Sequence, residues 1–312
     1  MLPTLEILLP VFVLILAGYA CRRRGLLGPQ AASELNRFVV WLALPALLFD
    51  TMVHATWSQL AQPGFIAVFA LACAGVFGAV LAWRLARGRG LADASIDAIA
   101  AAYPNTGYIG FPLCLLAFGP ASLAPTTIAT LLVVCVLFAC AVALIEAGLQ
   151  SGGPPHRAGL RILGAMARNP LVVAPVAGAL ASALGLELPA GGESALKLLG
   201  GAASPCALAS LGLFLAERRP ADAAASRSAL LLAGAKLVGQ PLLAWWLAAH
   251  VFGLPGPLTD MAVVLAALPT GTGPFMLAEY YRREAQAASR TILLSTLGSL
   301  PSLSLLLMHV RQ

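Results

Sequence analysis

The sequence predicts an all-α polytopic membrane protein of ten transmembrane helices, arranged as a 5+5 inverted repeat whose fourth and ninth helices are broken. Three observations predict it. The 312-residue chain is 60% hydrophobic and only 10% charged, with a mean hydropathy of +0.88. Soluble domains carry about 25% charged residues, so 32 charged side chains cannot cover a water-soluble particle of this size. Disorder is excluded by the same hydrophobicity. Second, the basic residues fall in alternate loops. Third, Pro, Gly and Trp recur in order between the two halves. The apolar stretches are continuous and too long for barrel strands of about ten alternating residues. At about 20 residues per span the chain has room for about ten helices.

The first helix is expected at 4–21. Its apolar core, Leu5 to Ala20, precedes Arg22-Arg23-Arg24. A secretory leader places its positive charge before the apolar core; the reverse order reads as a first span with an arginine stop on the inside. Tyr19-Ala20 before Cys21 does not make a lipobox. Helices 2 and 3 are expected at 35–54 and 64–83. Ala98 to Ile145 carries no charge. That stretch must hold most of two spans, at 95–118 and 125–148, turning at Gly119-Pro120. The remaining apolar segments place helices 6 to 10 at 168–185, 196–216, 228–252, 258–281 and 290–309.

The charges then fix an orientation. Arg22, Arg23, Arg24 and Arg37 flank the first inner loop, and Arg84, Arg87 and Arg89 the second. Arg157, Arg161 and Arg168, then Arg218, Arg219 and Arg227, then Arg282, Arg283 and Arg290 follow. These are sixteen of the nineteen Lys and Arg, and the loops near 55–63, 119–124, 186–195 and 253–257 carry none. The positive-inside rule puts both termini on the outer side. The net charge of +6 is therefore a topology signal and no nucleic-acid partner is implied.

The halves repeat as residues 1–148 and 168–312, joined by a short inner linker at 149–167. At an offset of 160, Pro10, Gly18, Gly25 and Pro45 meet Pro170, Gly178, Gly185 and Pro205. The offset drifts to 162 where Leu81-Ala82-Trp83 meets Leu243-Ala244-Trp245, and to 165 where Pro104 meets Pro269. Thr127-Ile128 meets Thr291-Ile292 at 164. Five helices per half, an odd number, turn the second half upside down. Inverted repeats of this kind occur in secondary transporters, with broken helices at the midplane.

Tyr103-Pro104-Asn105-Thr106-Gly107-Tyr108-Ile109-Gly110-Phe111-Pro112 interrupts helix 4, and Pro269-Thr270-Gly271-Thr272-Gly273-Pro274 interrupts helix 9. Pro104 lies about eight residues from the inner end and Pro269 about eleven from the outer end, so at about 1.5 Å per residue both are near the midplane. Proline removes a donor and clashes with the preceding turn. Two prolines and two glycines so close together either unwind a helix or leave it kinked with packing glycines. Unwound backbone must be satisfied by protein or line a wet cavity. Pro112 and Pro274 suit a first helical turn and Thr272 suits a cap. Half-helix N-termini placed there attract anions.

Few other polar residues lie at depth. Lys236 sits near the middle of helix 8, with Gln240 one turn on at i+4. A central lysine is costly unless paired or wet. It can partner a carboxylate, act as a coupling site, or snorkel to the surface. Asp50 and His54 share a face near the outer end of helix 2; Asp50 can pair or titrate, or simply lie in the interface. Glu6, Asp260 and Glu279 read as interfacial, His250 and His309 as outer-surface residues. No nucleophile–base set, HExxH or phosphate loop is present in the sequence, so no enzyme, metal or cofactor is expected. The six cysteines, Cys21, Cys73, Cys114, Cys135, Cys140 and Cys206, form no CxxC and read as small packing residues.

Several segments resemble the auxin efflux carrier family, which includes plant PIN-type carriers and bacterial malate and malonate permeases. The start, Leu9-Pro10-Val11-Phe12 through Gly18-Tyr19 and Arg22-Arg23-Arg24-Gly25, resembles that family's first helix, and Leu35-Asn36-Arg37 through Leu44-Pro45-Ala46-Leu47-Leu48-Phe49 its second. Asn105-x-Gly107-Tyr108-Ile109-Gly110-Phe111-Pro112 is the most specific piece. Ala203-Ser204-Pro205-Cys206-Ala207-Leu208, Lys236 with Pro241, and Leu268-Pro269-Thr270 through Ala278-Glu279-Tyr280-Tyr281 complete it. The resemblance implies a scaffold of helices 1, 2, 6 and 7 and a transport domain of 3–5 and 8–10. It implies that helices 4 and 9 cross at the substrate site, that movement is elevator-like, and that two copies pair through the scaffold. The short linker is similar to bacterial members, which implies the inner membrane and makes auxin a weak guess.

The resulting expectation is a secondary transporter of small organic anions, carboxylates such as malonate or malate. The substrate would meet Asn105, Pro104, Thr106 and Gly107 on one side and Pro269, Thr270, Gly271, Thr272 and Pro274 on the other. Lys236, Gln240 and Asp50 would supply electrostatics or coupling. Proton coupling, sodium coupling and uniport stay open. The alternative is an ion-coupled antiporter or symporter for an inorganic ion or a sodium-coupled substrate. The fold resembles sodium–proton antiporters and bile-acid symporters, but paired midplane carboxylates are lacking. Sodium ligation by carbonyls, Asn105 and Gln240 remains open.

Overall fold

The computed structural model describes residues 2–54, 61–149, 164, 167–186, 188–216 and 223–310. Most of the expected linker lies outside them. The described residues are helical apart from turns and one isolated backbone bridge. Six helical stretches are long and apolar enough to cross a membrane, among them Pro63–Ala86 and Ala190–Leu215, and Pro170–Ala183 and Gly256–Ala266 are shorter apolar helices.

The helices are α1 (Leu2–Arg23), α2 (Ala31–Val53), α3 (Pro63–Ala86), α4 (Leu91–Ala102) and α5 (Phe111–Phe118). They continue as α6 (123–149), α7 (Pro170–Ala183), α8 (Ala190–Leu215) and α9 (223–251). The last are α10 (Gly256–Ala266), α11 (Gly273–Tyr280) and α12 (Gln286–Val310). Expected helix 4 is thus α4 with α5, and expected helix 9 is α10 with α11. Several helices start earlier than the apolar pattern suggested, α8 by six residues. The extra turns hold Glu34, Asp93 and Glu193. Acidic side chains there favour the positive helix start, so these residues belong to helices although they interrupt the apolar run.

Three of the prolines that follow helical turns sit behind a widened turn. Turns of π-helix at Val39–Ala43, Thr106–Gly110 and Ala235–Gly239 each end two residues before Pro45, Pro112 or Pro241. Proline supplies no N–H and its ring pushes on the carbonyl four residues back. A wider turn before it absorbs both effects.

Two packed groups result. In the first, α1 crosses α8 and α2 crosses α7 with backbones in contact. A Cβ on Gly18 would lie 2.1 Å from Ala209 O, and one on Gly212 would lie 2.0 Å from Ile15 O. At the second crossing, a Cβ on Gly178 would lie 2.6 Å from Phe49 O. Small residues let helices approach this closely where lipid offers no hydrophobic drive to associate. The second group holds α3 to α6 and α9 to α12, with α4 packed between α3, α6 and α12. Phe65, Phe69, Ile99, Phe138 and Phe275 fill its interior. Its arginine-rich end is held by ion pairs. Arg84 and Arg89 lie 2.9 and 3.3 Å from the buried Asp97 carboxylate, and Arg283 binds Asp93 at 2.5 Å. Donating to the Asp93 carboxylate raises the pKa of Arg283 above its ordinary value.

The glycine seams predict a contrast. Gly212→Ala should prevent recovery of stable, monodisperse protein, because its methyl group has no flexible neighbour to displace. Gly78→Ala, on an open helix face, should be neutral or raise stability by about 0.5–1 kcal/mol. Thermal unfolding in detergent reads both.

Candidate functional site

The chain leaves helix at Tyr103 and again at Leu268, and the two unwound segments meet. Pro104 pairs antiparallel with Thr270. Asn105 N–H donates to Pro269 O at 2.9 Å and Gly271 N–H donates to Tyr103 O at 3.0 Å. Each segment therefore satisfies the other's backbone, as membrane depth requires. The pairing relates 104 to 270, one residue beyond the offset that aligns the prolines.

The carbonyls at the ends of α4 and α10 are met by side chains. Thr270 Oγ1 donates to Ala100 O at 2.9 Å. Gln240 Nε2 donates to Ala102 O at 3.3 Å and lies 3.1 Å from Cys73 Sγ. Lys236 Nζ donates to Ala266 O at 2.5 Å. Lys236 is 0% exposed, so it does not snorkel. A cation at a helix C-terminus complements the dipole. The π turn at Ala235–Gly239 separates Lys236 from Gln240, and each reaches the end of a different half-helix. Ser295 Oγ accepts from Thr270 N–H at 3.0 Å.

A cavity of about 650 Å³ ends on this crossover. Pro104, Asn105, Thr106, Gly107, Gly271 and Thr272 line it. Pro269, Thr270 and Pro274 do not; they build the crossover from behind. Lys236, Gln240 and Asp50 are also absent from the lining. Asn105 is 6% exposed and Thr106 1% exposed. The Thr106 hydroxyl has no partner, and among the described residues no side-chain hydrogen bond of Asn105 is found. Thr272 occupies the position before α11 but adopts helical dihedrals and makes no capping hydrogen bond. This corrects the expected cap: its side chain lines the cavity instead. The N–H groups of Gly273 and Phe275 fall in the first turn of α11, where a helix supplies no acceptor.

From the crossover the cavity runs past Val39, Leu44 and Leu47 of α2 and Thr127 and Thr130 of α6. It reaches Thr51, His54 and Pro120, and its lining passes from buried to exposed in that direction. At that end His54 Nδ1 lies 3.2 Å from Asp50 and Nε2 lies 3.6 Å from Glu193, which binds Lys197. Helices α2 and α11 also touch directly. Asn36 Nδ2 donates to Met276 O at 3.4 Å, and the rings of Trp41 and Tyr280 lie 6.3 Å apart. Tyr281 OH donates to Glu146 at 2.8 Å and accepts from Asn169 at 3.1 Å. Asn169 also caps α7 through Leu171 N–H.

Sequence reasoning missed Tyr103, Thr127, Thr130 and His54 as lining residues. Thr127 and Thr130 share a helix face at i,i+3, a pattern that could have been read. Tyr103 abuts the first proline.

This is the architecture of a membrane carrier: crossed, broken helices meeting a cavity at depth. The chain matches the family described as Membrane transport protein over residues 3–153 and 158–307, and it belongs to that family, the auxin efflux carriers. It is 33% identical over 311 residues to a Rhizobium meliloti protein named "Putative malonate transporter", covering 98% of this chain and 95% of the relative. It is 30% identical to an uncharacterized transporter of Methanothermobacter thermautotrophicus, covering 96% of each. It is 32% identical to Auxin efflux carrier component 1 of Arabidopsis thaliana over 116 residues, 37% of this chain and 18% of the plant protein.

Lys236→Ala should lower the melting temperature with no substrate present. It leaves the Ala266 carbonyl without its donor, worth about 1–3 kcal/mol. Unchanged melting would mean that the ammonium does not hold the half-helix.

Proposed function

We propose that the chain carries small carboxylates across the bacterial inner membrane by alternating access. The observation that carries the reading is the cavity floor. The Thr106 hydroxyl and the Asn105 amide lie there with no side-chain hydrogen bond among the described residues, beside the starts of two half-helices. Donors without partners and positive helix ends suit a carboxylate. The malonate named for the Rhizobium relative supports a dicarboxylate. The plant carriers match too little of the chain to support auxin.

The 5+5 inverted repeat belongs to this reading. Antiparallel pairing about Pro104 and Thr270 is the local symmetry that two inverted halves would produce. So does the division of labour. The glycine-seamed group of α1, α2, α7 and α8 serves as scaffold, and the group carrying the crossover moves against it. Two copies pair through the scaffold, whose α1 and α7 expose Leu9, Val13, Leu16, Val176 and Leu180. The arginine distribution puts both termini and the His54 end of the cavity outside, so the conformation is outward-facing. The Asn36, Tyr280 and Tyr281 contacts then form the inner seal. Lys236 holds the α10 terminus within the moving group through its hydrogen bond to Ala266 O.

Uptake of radiolabelled malonate, malate, succinate and indole-3-acetate into proteoliposomes tests this, with and without pH and sodium gradients. Saturable uptake of a dicarboxylate is expected. Asn105→Ala should reduce it by about a hundredfold or more, as sites built to hydrogen-bond a ligand lose heavily when a polar partner goes, while the protein melts normally. Normal uptake by Asn105→Ala would refute the site. Sodium-dependent currents without carboxylate uptake would favour the ion-coupled alternative.

A further inference from the structure

Gly271 and Gly273 are not required by the backbone at their positions. Neither has a positive φ, unlike Gly25, Gly88, Gly119, Gly185 and Gly253. What occupies the space a side chain would need is the ring of Tyr103. A Cβ on Gly271 would lie 2.9 Å from Tyr103 Cε1 and 3.0 Å from Cδ1. A Cβ on Gly273 would lie 2.9 Å from Tyr103 Cζ and 3.1 Å from Phe138 Cε2. The Tyr103 and Phe138 rings meet at 6.0 Å and 58°. One ring is thus seated on two glycines of the opposite broken helix and braced by α6. Tyr103 itself lines the cavity beside Asn105 and opposite the α2 wall.

We infer that Tyr103 is a specificity-determining residue: its ring, held in place by Gly271 and Gly273, sets the size of the substrate that fits between the crossover and α2. The inference rests on the transport reading above and adds what limits the cargo. The physical reason is confinement. On the glycine side the ring fills the space that side chains at 271 and 273 would need. On the α6 side Phe138 blocks it. A substrate with a bulky substituent must displace the ring or stay out, so a short, unsubstituted dicarboxylate is favoured. Conversely, a methyl group at 271 can be accommodated only by driving the ring into the cavity.

The test is a double-mutant cycle of Tyr103→Ala and Gly271→Ala, with purified protein in liposomes. Malonate, butylmalonate and benzylmalonate are the probes. Wild type should prefer malonate. Tyr103→Ala should raise benzylmalonate uptake relative to malonate by about tenfold, the order a pocket of changed volume delivers. Gly271→Ala should lower malonate uptake by about tenfold, and the double variant should return to within about threefold of Tyr103→Ala, since neighbours that clash are not additive. An unchanged preference in Tyr103→Ala would overturn the proposal. So would Gly271→Ala damage of equal size in both backgrounds, which would mean the backbone needs the glycine. Melting temperatures of the four proteins without ligand test the seat separately: Gly271→Ala should destabilise when Tyr103 is present and not when it is alanine. If wild type transports and binds none of the acids, the carboxylate reading fails. If it transports but the cycle is additive, only the size gauge fails.

Discussion

Backbone that leaves a helix at membrane depth must find its hydrogen bonds inside the protein. The rest of this structure depends on how that constraint is met at two places at once. The Tyr103–Asn105 and Pro269–Gly271 segments meet each other's needs by pairing. The carbonyl ends of α4 and α10 take donors from Thr270, Gln240 and Lys236. With those groups satisfied, the polar atoms left over at the floor of the cavity are those of Asn105 and Thr106. Under the proposed function, those atoms are what the crossing leaves for a substrate.

The two groups of helices are held together differently. Helices α1, α2, α7 and α8 touch backbone to backbone through Gly18, Gly212 and Gly178, and such seams resist sliding. The crossover belongs to the other group, whose ion pairs at Asp97 and Asp93 bind its own members together. Between the groups lie the Asn36, Trp41 and Asn169 interactions and the cavity. Fewer and weaker links between two well-knit bodies are what alternating access needs.

Much of this was legible in the sequence. Composition and the spacing of arginines gave the helical segments, and paired Pro and Gly runs gave the breaks. The helix starts were late because Glu34, Asp93 and Glu193 look like loop residues until their place in a first turn is known. The site was legible only in outline. Asn105, Thr106 and Thr272 line the cavity as the pattern suggested. Lys236 stands out in sequence as a charge at depth, but its hydrogen bond to a backbone carbonyl 30 residues away is set by the fold. Thr270 and Thr272 are two residues apart in an unwound strand, and nothing local tells which turns inward. Tyr103 opens the break in sequence, but the seat of its ring comes from glycines 168 and 170 positions later.

The central claim is that the crossover is where the cargo binds. The most direct measurement places a cysteine at Thr106 in protein whose own six cysteines have been replaced. Its alkylation rate by a small, membrane-impermeant thiol reagent is followed as a transported carboxylate is titrated in. Modification from the outer side is expected, slowed by the carboxylate with the same concentration dependence as uptake. A rate that does not change while the carboxylate is being transported would contradict it.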